Sequence, residues 1–250
     1  MTIIRFHLVL CAFLLAAAIS PCHAGLGDLL NQTKDTLKDL PQSTGAAPSG
    51  NLSNTDMVQG LKEALSVGTE NAVGVLSKTD GFFKNPNVKI LLPEPVRKVE
   101  GILKAVGYGD QIDAFEQSMN RAAERAVPAA KSLFGDAISQ MTFQDAEKIV
   151  RGRENEATLY FKEKTSDRLR ELFKPIAHDA MAEAGATKNY QDLNQKLGTI
   201  PMGGKLNFDL DSYVTDKTLD GLFFIIAEEE KKIRQNPAAR VTDMLKKVFK

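Results

Sequence analysis

Apolar residues recur along most of this chain at intervals of three and four, the spacing of one buried helix face. Met57, Val58, Leu61, Ala64 and Leu65 open a helix that the pattern carries to about Leu76, with Ser53 and Asp56 as a capping box ahead of it. Its glycines, Gly60, Gly68 and Gly74, weaken a helix and imply close approach of a neighbour. A loop at 79–95 follows, TDGFFKNPNVKILLPEP, holding a short extended piece at Val88–Leu92. The spacing then predicts a helix over Val96–Val106, ended by Gly107 and Gly109, and another capped by Asp110 that carries Ile112, Phe115, Met119, Ala122, Ala123 and Ala126. Pro128 suits the first turn of the next helix, and Thr142 with Asp145 forms a capping box for Phe143–Val150.

The second half reads the same way. An amphipathic helix spans 155–173, restarts at Pro175 and stops at Gly185; Lys188–Leu197 is shorter and polar, and Ile200–Phe208 is a loop. Asp211–Gln235 is long, and its apolar residues cover more than one face, which predicts the central, most buried helix. Lys231, Lys232 and Arg234 close it in the sense the helix dipole favours, and Glu230/Arg234 is a favourable pair one turn apart. Pro237 separates it from a terminal helix carrying Val241, Leu245, Val248 and Phe249. Thr165, Leu169, Leu172, Phe173, Ile176 and Ala177 are echoed fifty positions on by Thr215, Leu219, Leu222, Phe223, Ile226 and Ala227, a hint of pseudo-symmetric packing. The fold class predicted is all-α: a multi-helix bundle with one long loop (79–95) and a central long C-terminal helix (about 211–235).

The first fifty residues are patterned differently. Arg5 precedes the apolar run LVLCAFLLAAAI at Leu8–Ile19, which as a helix would reach only about 18 Å, short of a hydrocarbon core of roughly 30 Å. Pro21 ends it, and Cys22 and Ala24 are small residues three and one before a cleavage point, the layout of a secretory signal peptide cut between Ala24 and Gly25. Pro21 before Cys22 and Leu10 before Cys11 do not suit lipidation. Segment 25–40 is a short amphipathic helix and 41–51, PQSTGAAPSGN, a flexible linker, so residues 52–250 form a single helical domain.

Cleavage changes the chemistry available. Cys11, Cys22, His7 and His23 depart, leaving a cysteine-free chain whose sole histidine is His178. Disulfides are thereby excluded, and the domain rests on its hydrophobic core. Loss of Arg5 leaves 31 basic against 32 acidic residues, which disfavours nucleic acid as a partner. No further stretch is long and apolar enough to span a membrane, so the processed chain is expected in the periplasm.

Seven stretches carry a resemblance: GLKEALSVGTENAV (60–73), DGFFKNPNVKILLPEP (80–95), SMNRAAERAVPAAK (118–131), MTFQDAEKIV (141–150), ATLYFKEKTSDRL (157–169), YVTDKTLDGLFFIIAEEEKKIR (213–234) and NPAARVTDMLKKVF (236–249). Over about 52–249 the chain resembles a bacterial family of exported proteins known only as a domain of unknown function. The resemblance implies an exported helical domain and transfers no activity or catalytic residue. Where the family pattern has proline, this chain has Leu91.

A search for chemistry finds little. With one histidine and no thiol, a metal site would have to be oxygen-rich; Asp209 and Asp211 are the one tight acidic pair in a loop, and Asp211 reads more simply as a helix cap, so neither metal nor cofactor is expected. There is no nucleophile elbow, and the apolar face of its helix turns His178 to solvent. Gly107-Tyr108-Gly109 lacks a dinucleotide fingerprint and Gly203-Gly204-Lys205 the phosphate-loop spacing. Among carboxylates, Glu124 with Asn120 and Arg121 is the best catalytic candidate, for a carboxylate-based cell-wall hydrolase; the competing reading is a polar network between close-packed helices. Phe82 and Phe83 make loop 79–95 a candidate recognition element, unless its apolar residues anchor it to the helices. The function expected is a non-enzymatic binding or structural component of the cell envelope, with an unidentified envelope partner. The alternatives are the hydrolase and an apolar-ligand carrier with a cavity inside the bundle.

Overall fold

The computed structural model describes residues 53–199 and 208–236, together with 240 and 246. The expected leader, the expected helix at 25–40, the expected linker at 41–51, the loop at 200–207 and, but for 240 and 246, the expected terminal helix beyond Pro237 lie outside the described residues.

The described chain is an all-α bundle. Its helices are α1 (Asn54–Leu76), α2 (Glu94–Ala105), α3 (Gly109–Ala126), α4 (Ala130–Ser139), α5 (Phe143–Arg151), α6 (Glu156–Glu183), α7 (Ala186–Thr199) and α8 (Leu210–Gln235), with one 3-10 turn at Val127–Ala129 between α3 and α4. Ser53 caps α1 by accepting from the Asp56 amide, which is half of a capping box, whereas Thr142 and Asp145 form a complete one at α5. Gly107 and Gly185 take the positive φ that ends α2 and α6.

Several boundaries differ from those the pattern predicts: α2 begins at Glu94 rather than Val96, α7 at Ala186 rather than Lys188, and Pro128 lies in the 3-10 turn ahead of α4 rather than in its first turn. Asp209, two residues before Asp211, caps α8 by accepting from the Ser212 amide, so Asp211 sits in the first turn. Gly109 begins α3 rather than ending α2, and no side chain caps it. Pro175 does not restart a helix, because α6 runs through it unbroken. Pro175 and Glu171 are both exposed, so the carbonyl deprived of its helical partner faces water.

The core is one main cluster with α6 and α8 at its centre, beside a small one of Ala64 and Ile233. These two run antiparallel: Glu230 bonds Thr158, and Lys174 bonds Asp209 at 2.9 Å. Leu169, Phe173 and Ala177 of α6, with Leu219, Leu222, Phe223 and Ile226 of α8, are buried in the same cluster. The two faces related by the sequence echo therefore share one core. Antiparallel to α8 on its other flank lies α1, where Asn71 donates to Glu229 and a Cβ on Gly68 would meet Ile233 at 3.7 Å. Phe134 of α4 packs edge-on against Phe161 of α6 at 5.1 Å, and Phe115 of α3 stacks on Tyr190 of α7.

Between α1 and α2 the chain forms a strap, residues 77–93, that crosses the bundle instead of looping into solvent. Phe82, Val88, Ile90 and Leu92 are all buried in the main core. Phe82 is wholly inaccessible, its ring over Gly221 of α8: a Cβ there would come within 2.7 Å of the ring edge and 3.1 Å of Val88. Gly81 is needed as well, since a Cβ would lie 2.6 Å from the Val75 carbonyl. The extended piece at Val88–Leu92 forms no strand.

Candidate functional site

Asn120, Arg121 and Glu124 lie on one face of α3, one turn apart, and the strap passes over that face. Asn120 is fully buried. Its amide oxygen accepts from the Ile90 N–H at 2.8 Å and its amide nitrogen donates to the Ile90 carbonyl at 2.8 Å, as a neighbouring strand would. The remaining amide hydrogen goes to the Glu116 carbonyl, so both donors of the amide are used.

Glu124, 4% exposed, makes the second hold. Its Oε1 accepts from the backbone N–H of Phe82 at 3.1 Å and of Phe83 at 3.3 Å, while Oε2 accepts from Arg121 at 2.7 Å. The other arm of Arg121 reaches Asp80. Asp80 carries a φ of 70°, a left-handed conformation that aspartate tolerates better than most residues, and it opens the turn from which Phe82 dives inward. Lys84, then Arg121, hold the Asp80 carboxyl below the usual carboxylate range.

Phe83 faces outward, half-buried, with Lys89 Nζ 4.7 Å and the Arg121 guanidinium 5.7 Å from its ring centre. Lys89 in turn pairs with Glu116. The two groups of candidates that the sequence offers separately, the α3 trio and the strap phenylalanines, therefore form a single assembly. Its chemistry is that of a clasp: two polar side chains satisfy four backbone groups of the strap, two in its turn at Phe82–Phe83 and two in its extended piece at Ile90. Glu124 is committed to two amides and a guanidinium, which leaves it poorly placed as a general acid. Phe82 is corrected from recognition residue to anchor, because its burial leaves no face for a partner; Phe83 keeps a partly open ring.

A second buried carboxylate does similar work, beyond the pairing one turn apart that the sequence predicts for it. Glu230 of α8, 8% exposed, accepts from the N–H groups of Ala157 at 3.0 Å and Thr158 at 2.9 Å, and from the Thr158 hydroxyl. Arg234 supports it from one turn on at 2.8 Å and also donates to the Ile149 carbonyl. Asn155 gives α6 no side-chain cap, so Glu230 caps it from another helix. The clue available in the sequence was a glutamate on a helix whose apolar residues already cover more than one face.

The remaining candidates are dispersed. His178 is exposed and lies 2.9 Å from Asp211 across the α6/α8 seam. Asp209 is held far below the usual carboxylate range by Ser212, through its hydroxyl and amide, and then by Lys174. Among the described residues no three histidine, cysteine or acidic side chains converge as metal ligands would. No helix among them is long and apolar enough to cross a membrane. An apolar cavity within the bundle, bounded by Leu61, Leu65, Ile149, Phe161, Ile226 and Ile233, measures about 20 Å³, room for about one water.

The model of a family described as "Protein of unknown function (DUF4197)" matches residues 51–250. No curated protein and no solved structure matches the chain.

Proposed function

The chain belongs to the DUF4197 family, a family of proteins of unknown function, and on that premise we propose that it is an exported binding or structural component of the bacterial cell envelope that works without catalysis. The observation that carries this reading is the use made of the buried carboxylates. Glu124 and Glu230 are each backed by an arginine and spent on two backbone amides. A hydrolytic carboxylate pair needs one group free to protonate a leaving oxygen and another free to attack or to activate water. The expectation of export rests on residues 1–24, whose charge, apolar core and small residues before Gly25 suit a cleaved leader. The apolar-carrier alternative draws no support from a cavity of about 20 Å³.

Two measurements test the reading. The full-length gene product, made in a bacterial host and fractionated, should be recovered from the periplasm with Gly25 at its N-terminus; recovery of the uncut chain from the cytoplasm would overturn export. Zymography on purified cell wall should show no clearing by the wild-type protein. Clearing that disappears in Glu124→Gln, with the variant still folded, would establish the hydrolase instead.

A further inference from the structure

We infer that the groove between α4, α5 and α6 binds a small oxyanionic group, a carboxylate or a phosphate, through Lys164 and Arg168. The groove measures about 220 Å³. Pockets for drug-sized ligands run to roughly 300–1,000 Å³, so this one suits a compact molecule or the end group of a larger one. Leu133 and Ala137 of α4 and the half-buried ring of Tyr160 give it an apolar side. The Tyr160 hydroxyl is tied to the Ala137 carbonyl at 2.9 Å, which fixes the ring and braces α4 against α6.

The two cations are what set this groove apart. They lie on successive turns of α6 and both line it. Lys164 pairs with its neighbour Glu163 at 3.6 Å and lies near enough to Asp145, in the same lining, to help hold that carboxyl below the usual range, and Arg168 meets Asp136 at 3.7 Å. Both separations exceed hydrogen-bond length, and among the described residues neither side chain donates a hydrogen bond. Most lysines and arginines in ion pairs elsewhere in this bundle are bonded at 3.3 Å or less, as Lys174 is to Asp209 and Arg170 to Asp216. The one carboxylate in the lining, Asp145, is already spent: its Oδ2 accepts from the Thr142 amide and hydroxyl in the α5 capping box. The lining thus carries two cations that hold no hydrogen bond among the described residues against one anion, whose Oδ2 is bonded within the α5 capping box.

Two other surface grooves carry one cation and one anion each. The groove between α1 and α4, about 450 Å³, sets Lys131 against Glu70. In the groove between α3 and α7, about 440 Å³, Lys196 is over the Tyr108 ring and shares the lining with Asp192. This inference concerns a site apart from the α3 clasp and does not depend on where the protein resides.

The test is a titration of ¹⁵N-labelled protein with inorganic phosphate and, separately, with acetate, at low and at physiological salt. Saturable amide shifts confined to Thr142–Asp145 and Tyr160–Arg168 are expected with at least one anion, and the arm that saturates identifies the group preferred. Lys164→Ala/Arg168→Ala removes two exposed side chains, so the fold should persist and binding should weaken about tenfold or more with both charge-assisted contacts gone. Lys131→Ala, in the α1/α4 groove, should leave binding unchanged. Absence of saturation with either anion, shifts that survive the double substitution, or equal weakening by Lys131→Ala would each overturn the site.

Discussion

Replacing Phe82 by alanine should destabilise the domain severely, and a second substitution shows why. The ring is wholly buried over Gly221, with Val88 beside it. Phenylalanine-to-alanine changes at such sites cost about 3–5 kcal/mol, the lost transfer energy plus the cavity left behind. That is a large share of the roughly 5–15 kcal/mol that holds a domain folded. Gly221→Ala should also destabilise the wild-type protein, although alanine favours a helix over glycine by about 1 kcal/mol. The added Cβ would sit 2.7 Å from the Phe82 ring edge, and overpacking of that kind costs about 1–3 kcal/mol. With Phe82 already alanine, the principal clash is gone and the new methyl group fills part of the void. Gly221→Ala should then be neutral or mildly stabilising, giving a coupling energy of about 1–3 kcal/mol. Urea unfolding followed by helical circular dichroism measures all four corners of this cycle. A Phe82→Ala loss below about 1 kcal/mol would show the ring is not the anchor described, and additive effects of the two substitutions would show that Gly221 does not admit it.

Glu230→Gln should cost about 2–4 kcal/mol, somewhat less than the roughly 3–5 of removing one partner from a buried ion pair, because one acceptor remains. Hydrogen exchange should show protection lost first at Ala157 and Thr158, and unchanged protection there would refute cross-helix capping. The Thr215 hydroxyl is buried without a partner among the described residues, and an unsatisfied group of that kind costs about 1–3 kcal/mol. Thr215→Val should therefore raise the melting temperature by about 2–4 °C, and a lowered one would mean that the hydroxyl has a partner. Because Asp209 is depressed in the folded state, its stabilisation is present above its unfolded value near 3.9 and is lost as pH falls from there toward the folded value. Asp209→Asn, which still caps, should flatten the fall in melting temperature between about pH 4 and pH 2 relative to wild type; an equal fall in both proteins would rule out that linkage.

The helices were readable because they are amphipathic and locally punctuated. Thr142 and Asp145 announce α5, and Gly185 ends α6, through interactions spanning three or four residues. The strap resisted reading for the opposite reason. Its proline content and lack of periodicity mark a loop, while its partners, Asn120, Glu124 and Gly221, lie from about thirty to 139 positions away. Asn120 and Glu124 stood out as an unusual polar pair among alanines, which located the clasp without disclosing what it holds. Phe82 and Phe83 are adjacent and identical in type, yet one is anchored in the core and the other lies at the surface. Only the direction of the chain after Asp80 separates them. Pro175 misled because the cost of proline in a helix depends on which side it faces, and an exposed one leaves its orphan carbonyl to water.

The cap that Glu230 supplies to α6 also orders events in time. A helix with its own N-cap can close its first turn as soon as it is synthesised. The first turn of α6 gains its side-chain cap only from a residue more than seventy positions further along. Until that residue arrives, the amides of Ala157 and Thr158 remain open, and any fragment ending short of it lacks the bond that starts its longest helix. The start of α6 is therefore coupled to α8 by a contact of long sequence separation, whose loop-closure entropy must be met before the bond can form. Shortened forms of the protein should be prone to unravelling from the middle and not only from their cut ends.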